Sequence, residues 1–328
     1  TRTVADDTTI QVKGAWYAAR PARIGSRVLI RIYEHELEEL RKMLREELSQ
    51  MPFDSLAYAQ LDFNKKSFNT FEITPLGKEV YFDLASLTKP LTLSPYFLEK
   101  KREDDLYLLL NHRASLPSWA RLGHDWKEQV LGYSIKESDT LYSDLSALRL
   151  MLEIEKKENK NLKDLCSSFY DKELLFWKDL DQNAVSVFTG FRKGHVISSQ
   201  VHDDNAYTLN RFCSHAGLFG TIKGICKTLL NMDKTYDLLS KMKKTIADQE
   251  PHRFVLGFDT ARDDKGLAGK GHSPLTFGHL GFTGTSFWID PESKKGVVLL
   301  TNVTQNYWYN REGLNKLRRN LASIVWSA

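Results

Sequence analysis

The chain has 328 residues, enough for one large domain or two modest ones around a substantial core. Hydrophobic residues make up 41% and charged residues 27%, ordinary values for a globular protein, and the formal net charge is only +4. With no basic stripe interleaved with aromatics, a nucleic-acid partner is not expected.

No apolar run approaches the ~20 residues that span a bilayer, so no transmembrane segment is expected. The first residues are polar and lack the apolar core of a signal peptide. The chain does not begin with Met, so both the cytoplasm and, after removal of a leader, the bacterial periplasm stay open. Cys166, Cys213 and Cys226 are odd in number and lack metal-ligand spacing. They read as free buried thiols, and neither metal nor cofactor is expected.

Residues 1–20 carry no clear pattern. Residues 34–50 place Leu37, Leu40, Leu44 and Leu48 at helical spacing, which predicts an amphipathic helix. "DSLAYAQLDF" alternates as a strand, with Leu56, Tyr58 and Gln60 on one side and Ala57, Ala59 and Leu61 on the other. "FNTFEI" reads as a second strand. Residues 84–250 are mostly helical in pattern with long polar loops. "LTFGHLGFTGTSFWIDP" and "GVVLLTN" read as two strands joined by a turn at Pro291–Lys295, and "NREGLNKLRRNLASIVWS" as a closing helix. Strands from both ends of the chain are expected in one sheet, because an isolated hairpin is only marginally stable. The predicted fold class is α/β (α+β). An antiparallel sheet, built from 21–83 plus 251–328, is flanked by N- and C-terminal helices. The mostly helical 84–250 region is inserted, with a cleft between the two.

The segment "YFDLASLTKPL" places Ser86 and Lys89 three apart, on one face of a helix. A serine hydroxyl is a poor nucleophile unless a base takes its proton. A lysine is such a base if burial and positive neighbours lower its pKa enough to leave it neutral. Pro90 fits the first turn of a helix, where backbone N–H groups lack intrahelical partners. Ser86 then lies at the N-terminal end, where its N–H and the local dipole favour an oxyanion.

"FDLASLTK", then "LYSDLSALRLML" with Tyr142, Ser143 and Asp144, then "FGHLGFTGTSFWIDP" with His279, Leu280 and Gly281, resemble the three ordered motifs of the serine β-lactamase and penicillin-binding-protein superfamily. The resemblance is to its class C-like branch, which also holds esterases and D-amino-acid peptidases. "LLNHRASLPSW" and "VHDDNAYTL…SHAGLFGT" are similar to two further segments of that branch.

The resemblance implies roles. Ser86 is the acylated nucleophile and Lys89 accepts its proton. Tyr142 passes a proton to the leaving group. Asp144, where many relatives have Asn, orients Lys89 or contacts a substrate amide. His279 flanks the cleft, Gly281 lets substrate backbone lie close, and the N–H groups of Ser86 and Phe282 form the oxyanion hole. Leu280 replaces a hydroxyl residue that often binds a substrate carboxylate. Arg211, in "LNRFCSHAG", either supplies that anion contact or points outward. His112 and His215 read as structural. His202, Asp203 and Asp204 cannot all converge on one metal ion, and Asp203 and Asn205 read as bonding nearby backbone. Phe282-Thr283-Gly284-Thr285 reads as lying inside a strand, not as a phosphate loop.

The implied activity is a serine hydrolase working through an acyl-enzyme on an amide or ester. Its partner would be a small molecule or peptide, such as a cell-wall muropeptide or a β-lactam. The alternative is a non-catalytic module of the same fold that senses peptidoglycan fragments or penicillin.

Overall fold

The computed structural model describes residues 9–12, 15–18, 42, 44–46, 48–77, 79–100, 104–248, 252–261, 266–306 and 310–327. Thr1–Gln50 and Met51–Ala328 are two compact units. In the first, Thr9–Val12 and Ala15–Ala18 pair as an antiparallel hairpin that the sequence pattern did not suggest. Residues 42, 44–46, 48 and 49 are helical, as expected, with Leu44 and Leu48 buried. Leu37 and Leu40 lie outside the described residues.

The second unit is built on a seven-stranded antiparallel sheet. In chain order its strands are β1 (Leu56–Asp62), β2 (Ser67–Ile73), β3 (Phe254–Val255), β4 (Phe258–Thr260), β5 (Phe277–Leu280), β6 (Ser286–Asp290) and β7 (Lys295–Thr301). The spatial order is β3-β4-β5-β6-β7-β1-β2, so strands from both ends of the chain meet where β7 pairs with β1. The period of two seen in the sequence holds. Ala57, Ala59 and Leu61 join the main core with Val298 and Leu300, while the Tyr58 hydroxyl, on the other face, donates to the Leu321 carbonyl. That carbonyl belongs to the closing helix, Glu312–Ser327, whose Leu314, Leu317 and Leu321 are buried.

Between β2 and β3 the chain is mostly helical, as expected. The principal helices are α1 (Thr88–Glu99), α2 (Asp144–Glu158) and α3 (Ile222–Tyr236). Small β elements interrupt them. Phe82–Asp83 and Leu174–Phe176 flank Leu218–Gly220 in a three-stranded sheet, and Phe191–Arg192 pairs with His195–Val196.

The segment from Leu275 to Pro291 differs from the expectation. It is not one strand but a hairpin, β5 to β6, turning through Gly281–Thr285. The Gly281 N–H donates to the Thr285 carbonyl at 2.8 Å, and Gly284 takes a φ of +106°, a value glycine reaches without strain. Surrounding aromatic and β-branched residues masked this turn in the sequence. The three cysteines are buried and free. No helix among the described residues is long and apolar enough to cross a membrane.

Candidate active site

A cleft of about 740 Å³ is lined by Ser86, Tyr142, Asp144, His279, Leu280, Gly281 and Phe282 among others. Ser86 lies in a 3₁₀ turn, Ala85–Leu87, that runs directly into α1. Pro90 thus falls in the first helical turn, where its missing N–H costs little. The turn is sharp, since Ala85 holds a φ of +46°.

Lys89 is 2% exposed, and its Nζ lies 3.0 Å from Ser86 Oγ, 3.2 Å from the His215 carbonyl and 2.6 Å from Asp144 Oδ1. Its ammonium also stands 4.8 Å from the centroid of the Tyr142 ring. Burial pulls the Lys89 pKa down. The Asp144 carboxylate and Tyr142 outweigh it, and the amine is held above its ordinary range. The expectation of a neutral lysine is therefore corrected: a carboxylate in direct contact keeps the resting amine charged.

Tyr142 is brought to the same point by the segment preceding α2. Ser143 caps that helix by accepting the Ser146 N–H at 2.9 Å, donates its hydroxyl to the Pro117 carbonyl at 2.6 Å, and donates its N–H to His112 Nδ1 at 3.3 Å. The His112 ring lies 4.6 Å from the Tyr142 ring and stays neutral, its pKa pushed well down by burial. Burial pushes the Tyr142 phenol up. The charge of Lys89 and hydrogen bonds with Lys89 and Ser86 oppose that without reversing it. The resting site thus pairs an ammonium with a neutral phenol.

The opposite wall is the end of β5 and its turn. Thr283 Oγ1 donates to the Asp83 carbonyl at 2.7 Å, and Thr285 Oγ1 to the Leu84 carbonyl at 3.0 Å. These two hydroxyls fasten the backbone around Phe282 to the strand that leads into Ser86. A Cβ at Gly281 would collide with Thr285 Oγ1 and lie 2.8 Å from the Leu84 carbonyl. Gly281 is therefore bare so that this turn can close on Leu84, a reason different from the expected approach of substrate. His279 is buried, its Nδ1 at 2.9 Å from the Leu280 carbonyl, and burial with nearby Lys89 lowers its pKa to about 3. The imidazole is therefore neutral and brings no positive charge to this wall.

Arg211 does not line the cleft. Its guanidinium lies 3.5 Å from Glu155 Oε2 on α2 and over the Trp126 ring, so the expectation of a substrate contact is corrected in favour of an outward ion pair. Its neighbour Asn210 takes a left-handed φ of 50° to end the helix Asp204–Leu209, a position suited to Asn. Asp203 caps that helix through the Ala206 N–H and accepts His215 Nε2 at 2.9 Å. Asn205 bonds Leu122 and Ala120 backbone. No cluster among the described residues could hold a metal ion.

Sequence reasoning missed Asp83. It is fully buried, accepts the Ala85 N–H at 2.8 Å and the His202 N–H at 2.6 Å, and burial raises its pKa to about 7. The available signal was an acid inside the apolar run "VYFDLASL", since an acid is costly to bury without partners. Also missed were cations at the other end of the cleft. Arg318 is 5% exposed and donates to the Thr285 carbonyl at 2.8 Å and to Asn315 Oδ1 at 3.2 Å. Burial, with Arg311 nearby, lowers its pKa to about 9.

A family model described as Beta-lactamase matches residues 178–318. A putative D-alanyl-D-alanine carboxypeptidase from Escherichia coli O157:H7 is 33% identical over 114 residues, 31% of this chain and 26% of that protein. The matched stretch thus spans about a quarter of that relative. Among solved structures, a β-lactamase from Mycobacterium bovis aligns with TM-score 0.56 and 15% identity over 86% of this chain and 97% of its own. A D-alanine carboxypeptidase, AmpC, from Burkholderia cenocepacia aligns with TM-score 0.59 and 12% identity over 88% and 99%. The sheet-and-helix fold expected from the sequence is the fold of these two solved structures.

Proposed function

We propose that the protein hydrolyses an amide or ester through an acyl-enzyme on Ser86. The observation that carries this reading is Ser86 Oγ at 3.0 Å from Lys89 Nζ, with the Tyr142 ring 4.8 Å from the same Nζ, and Ser86 and Tyr142 both lining one cleft. Ser86 Oγ bonds to the substrate carbonyl carbon. Its proton passes to the Tyr142 oxygen as the Tyr142 proton passes to the departing nitrogen or oxygen. This exchange needs no free phenolate. Lys89 remains an ammonium that stabilises the negative charge developing on both oxygens, and Asp144 holds it in place. The Ser86 and Phe282 N–H groups face the oxyanion. Water then attacks the acyl carbon, giving one proton to Tyr142 while Tyr142 returns one to Ser86, and the carboxylic acid leaves.

The carboxypeptidase relative supports a D-amino-acid peptide of the cell wall as one substrate class, and small esters are the other. Leu280, in place of a hydroxyl residue, weighs against efficient destruction of penicillins. A second reading, a non-catalytic sensor of peptidoglycan fragments, is favoured by one observation: the Lys89–Asp144 ion pair leaves Ser86 without a neutral amine.

Incubation with a fluorescent penicillin and with p-nitrophenyl butyrate, beside Ser86→Ala, tests the proposal. Labelling or turnover that falls by about a thousandfold or more in the variant, with an adduct on Ser86 by mass spectrometry, is expected. Tight muropeptide binding with no adduct and no turnover would select the sensor.

A further inference from the structure

Of the four exposed large aromatics among the described residues, Tyr207 at 39% lies under the Arg192 guanidinium and the other three face one space. Among the described residues, the exposed Trp and Phe side chains are Trp119 at 52%, Phe191 at 38% and Phe282 at 49%. All three line the cleft that holds Ser86. Exposed large apolar groups gathered around a concave site mark where something apolar is bound.

Each is held in place rather than loosely displayed. The loop carrying Trp119 is pinned on both sides, by Ser143 Oγ on the Pro117 carbonyl and by Asn205 Nδ2 on the Ala120 carbonyl. Phe191 stands on the two-stranded hairpin that Arg192 clamps. The Arg192 guanidinium bonds Asp204 Oδ1 at 3.0 Å and the Val201 and His202 carbonyls at 3.1 and 2.8 Å, and lies 4.0 Å from the Tyr207 ring centroid. Phe282 is covered on one side by the Arg311 guanidinium, 4.7 Å from its ring, and lies within the turn fastened by Thr283 and Thr285. Three separate segments each present one ring to one space, and the backbone of each is fixed. Such preorganised rings bind with little ordering cost.

We infer that the substrate carries a bulky apolar group, an aromatic ring or a branched or extended alkyl chain, which seats against Trp119, Phe191 and Phe282 while Ser86 attacks the neighbouring carbonyl. This rests on the serine-hydrolase reading above. A wall of this kind gains nothing from the methyl group of an alanine tail and discriminates by apolar size.

The test uses boronic acids, which add reversibly to an active-site serine oxygen. Calorimetry would compare methylboronic with benzylboronic acid on the intact chain, on Ser86→Ala, and on Trp119→Ser, Phe191→Ser and Trp119→Phe. The expected result is benzyl binding tighter than methyl by about tenfold or more, the scale of discrimination in an apolar pocket. The ratio should shrink in the two Ser variants and return in Trp119→Phe. A ratio taken within one preparation cancels any loss of folded protein. Equal affinity for both acids, or a ratio the Ser variants leave unchanged, would overturn this inference while leaving the hydrolase reading standing. Failure of both acids to bind in a Ser86-dependent way would overturn the two together.

Discussion

The two walls of the cleft are made by different physics. The α1 and α2 wall concentrates charge: Lys89 reaches Ser86 and is itself met by the Asp144 carboxylate and the Tyr142 ring. The β5 wall carries no charged group at the reacting point. His279 is neutral, and the turn at Phe282 is shaped by backbone bonds and two threonine hydroxyls. One wall supplies electrostatics and the other supplies form. A change on the first should alter chemistry with little effect on folding, and a change on the second should do the reverse.

The sharpest break of that contrast is Asp144→Asn. Removing the carboxylate leaves burial to act on Lys89, so its pKa falls from its raised value. If the proposed reaction needs the ammonium, the activity of the variant drops as pH rises through the lowered value, by about a hundredfold, while that of the native protein holds. The pH–rate profiles of both proteins check this. A variant faster than native near neutrality would instead assign Lys89 as a neutral base.

Gly281→Ala attacks form. Its methyl meets Thr285 Oγ1 and the Leu84 carbonyl, and overpacking of this kind costs about 1–3 kcal/mol, read by urea unfolding. Asp83 joins the two walls, since its carbonyl holds Thr283 and its carboxylate holds Ala85 and His202. Its pKa is raised from an ordinary 3.8 to about 7, so the unfolded chain releases this proton first. Its contribution to stability is full below about pH 4 and is lost as pH rises through about 7. Native protein should therefore lose up to a few kcal/mol over that interval relative to Asp83→Asn, whose own cost is independent of pH. Parallel stability curves for the two would remove Asp83 from this role. The smallest effect is expected for Thr283→Val. It removes one buried hydrogen bond, about 1 kcal/mol, and should slow turnover only a fewfold. An unchanged rate and melting temperature would show that Thr285 alone holds the turn.

What could be read from the sequence follows the range of the interaction involved. Ser86, Lys89 and Pro90 share one turn of backbone, so their spacing carries their geometry. The alternation of Leu56 to Leu61 likewise reports its own two faces. The errors lie where a distant residue decides. Arg211 turns away because Glu155, far along the chain on α2, offers a carboxylate. Lys89 is charged because Asp144 touches it, and spacing alone gives no distance between them. The turn at Gly281–Thr285 was hidden because its neighbours favour strands. Asp83 was passed over because its two donors come from Ala85 and from His202, the latter more than a hundred positions away.

The pairing of β7 with β1 has a consequence for biosynthesis. The register joins Lys295 to Asp62 and Thr301 to Leu56, so the middle of the sheet cannot zip until residue 301 has left the ribosome. Until then the edge of β1 that β7 will fill has no partner strand. Contacts of such long sequence separation slow folding and leave sticky intermediates. A nascent chain stalled short of residue 301 is therefore expected to be held by chaperones, and shortening the protein from that side should abolish the sheet as a whole rather than trim its edge.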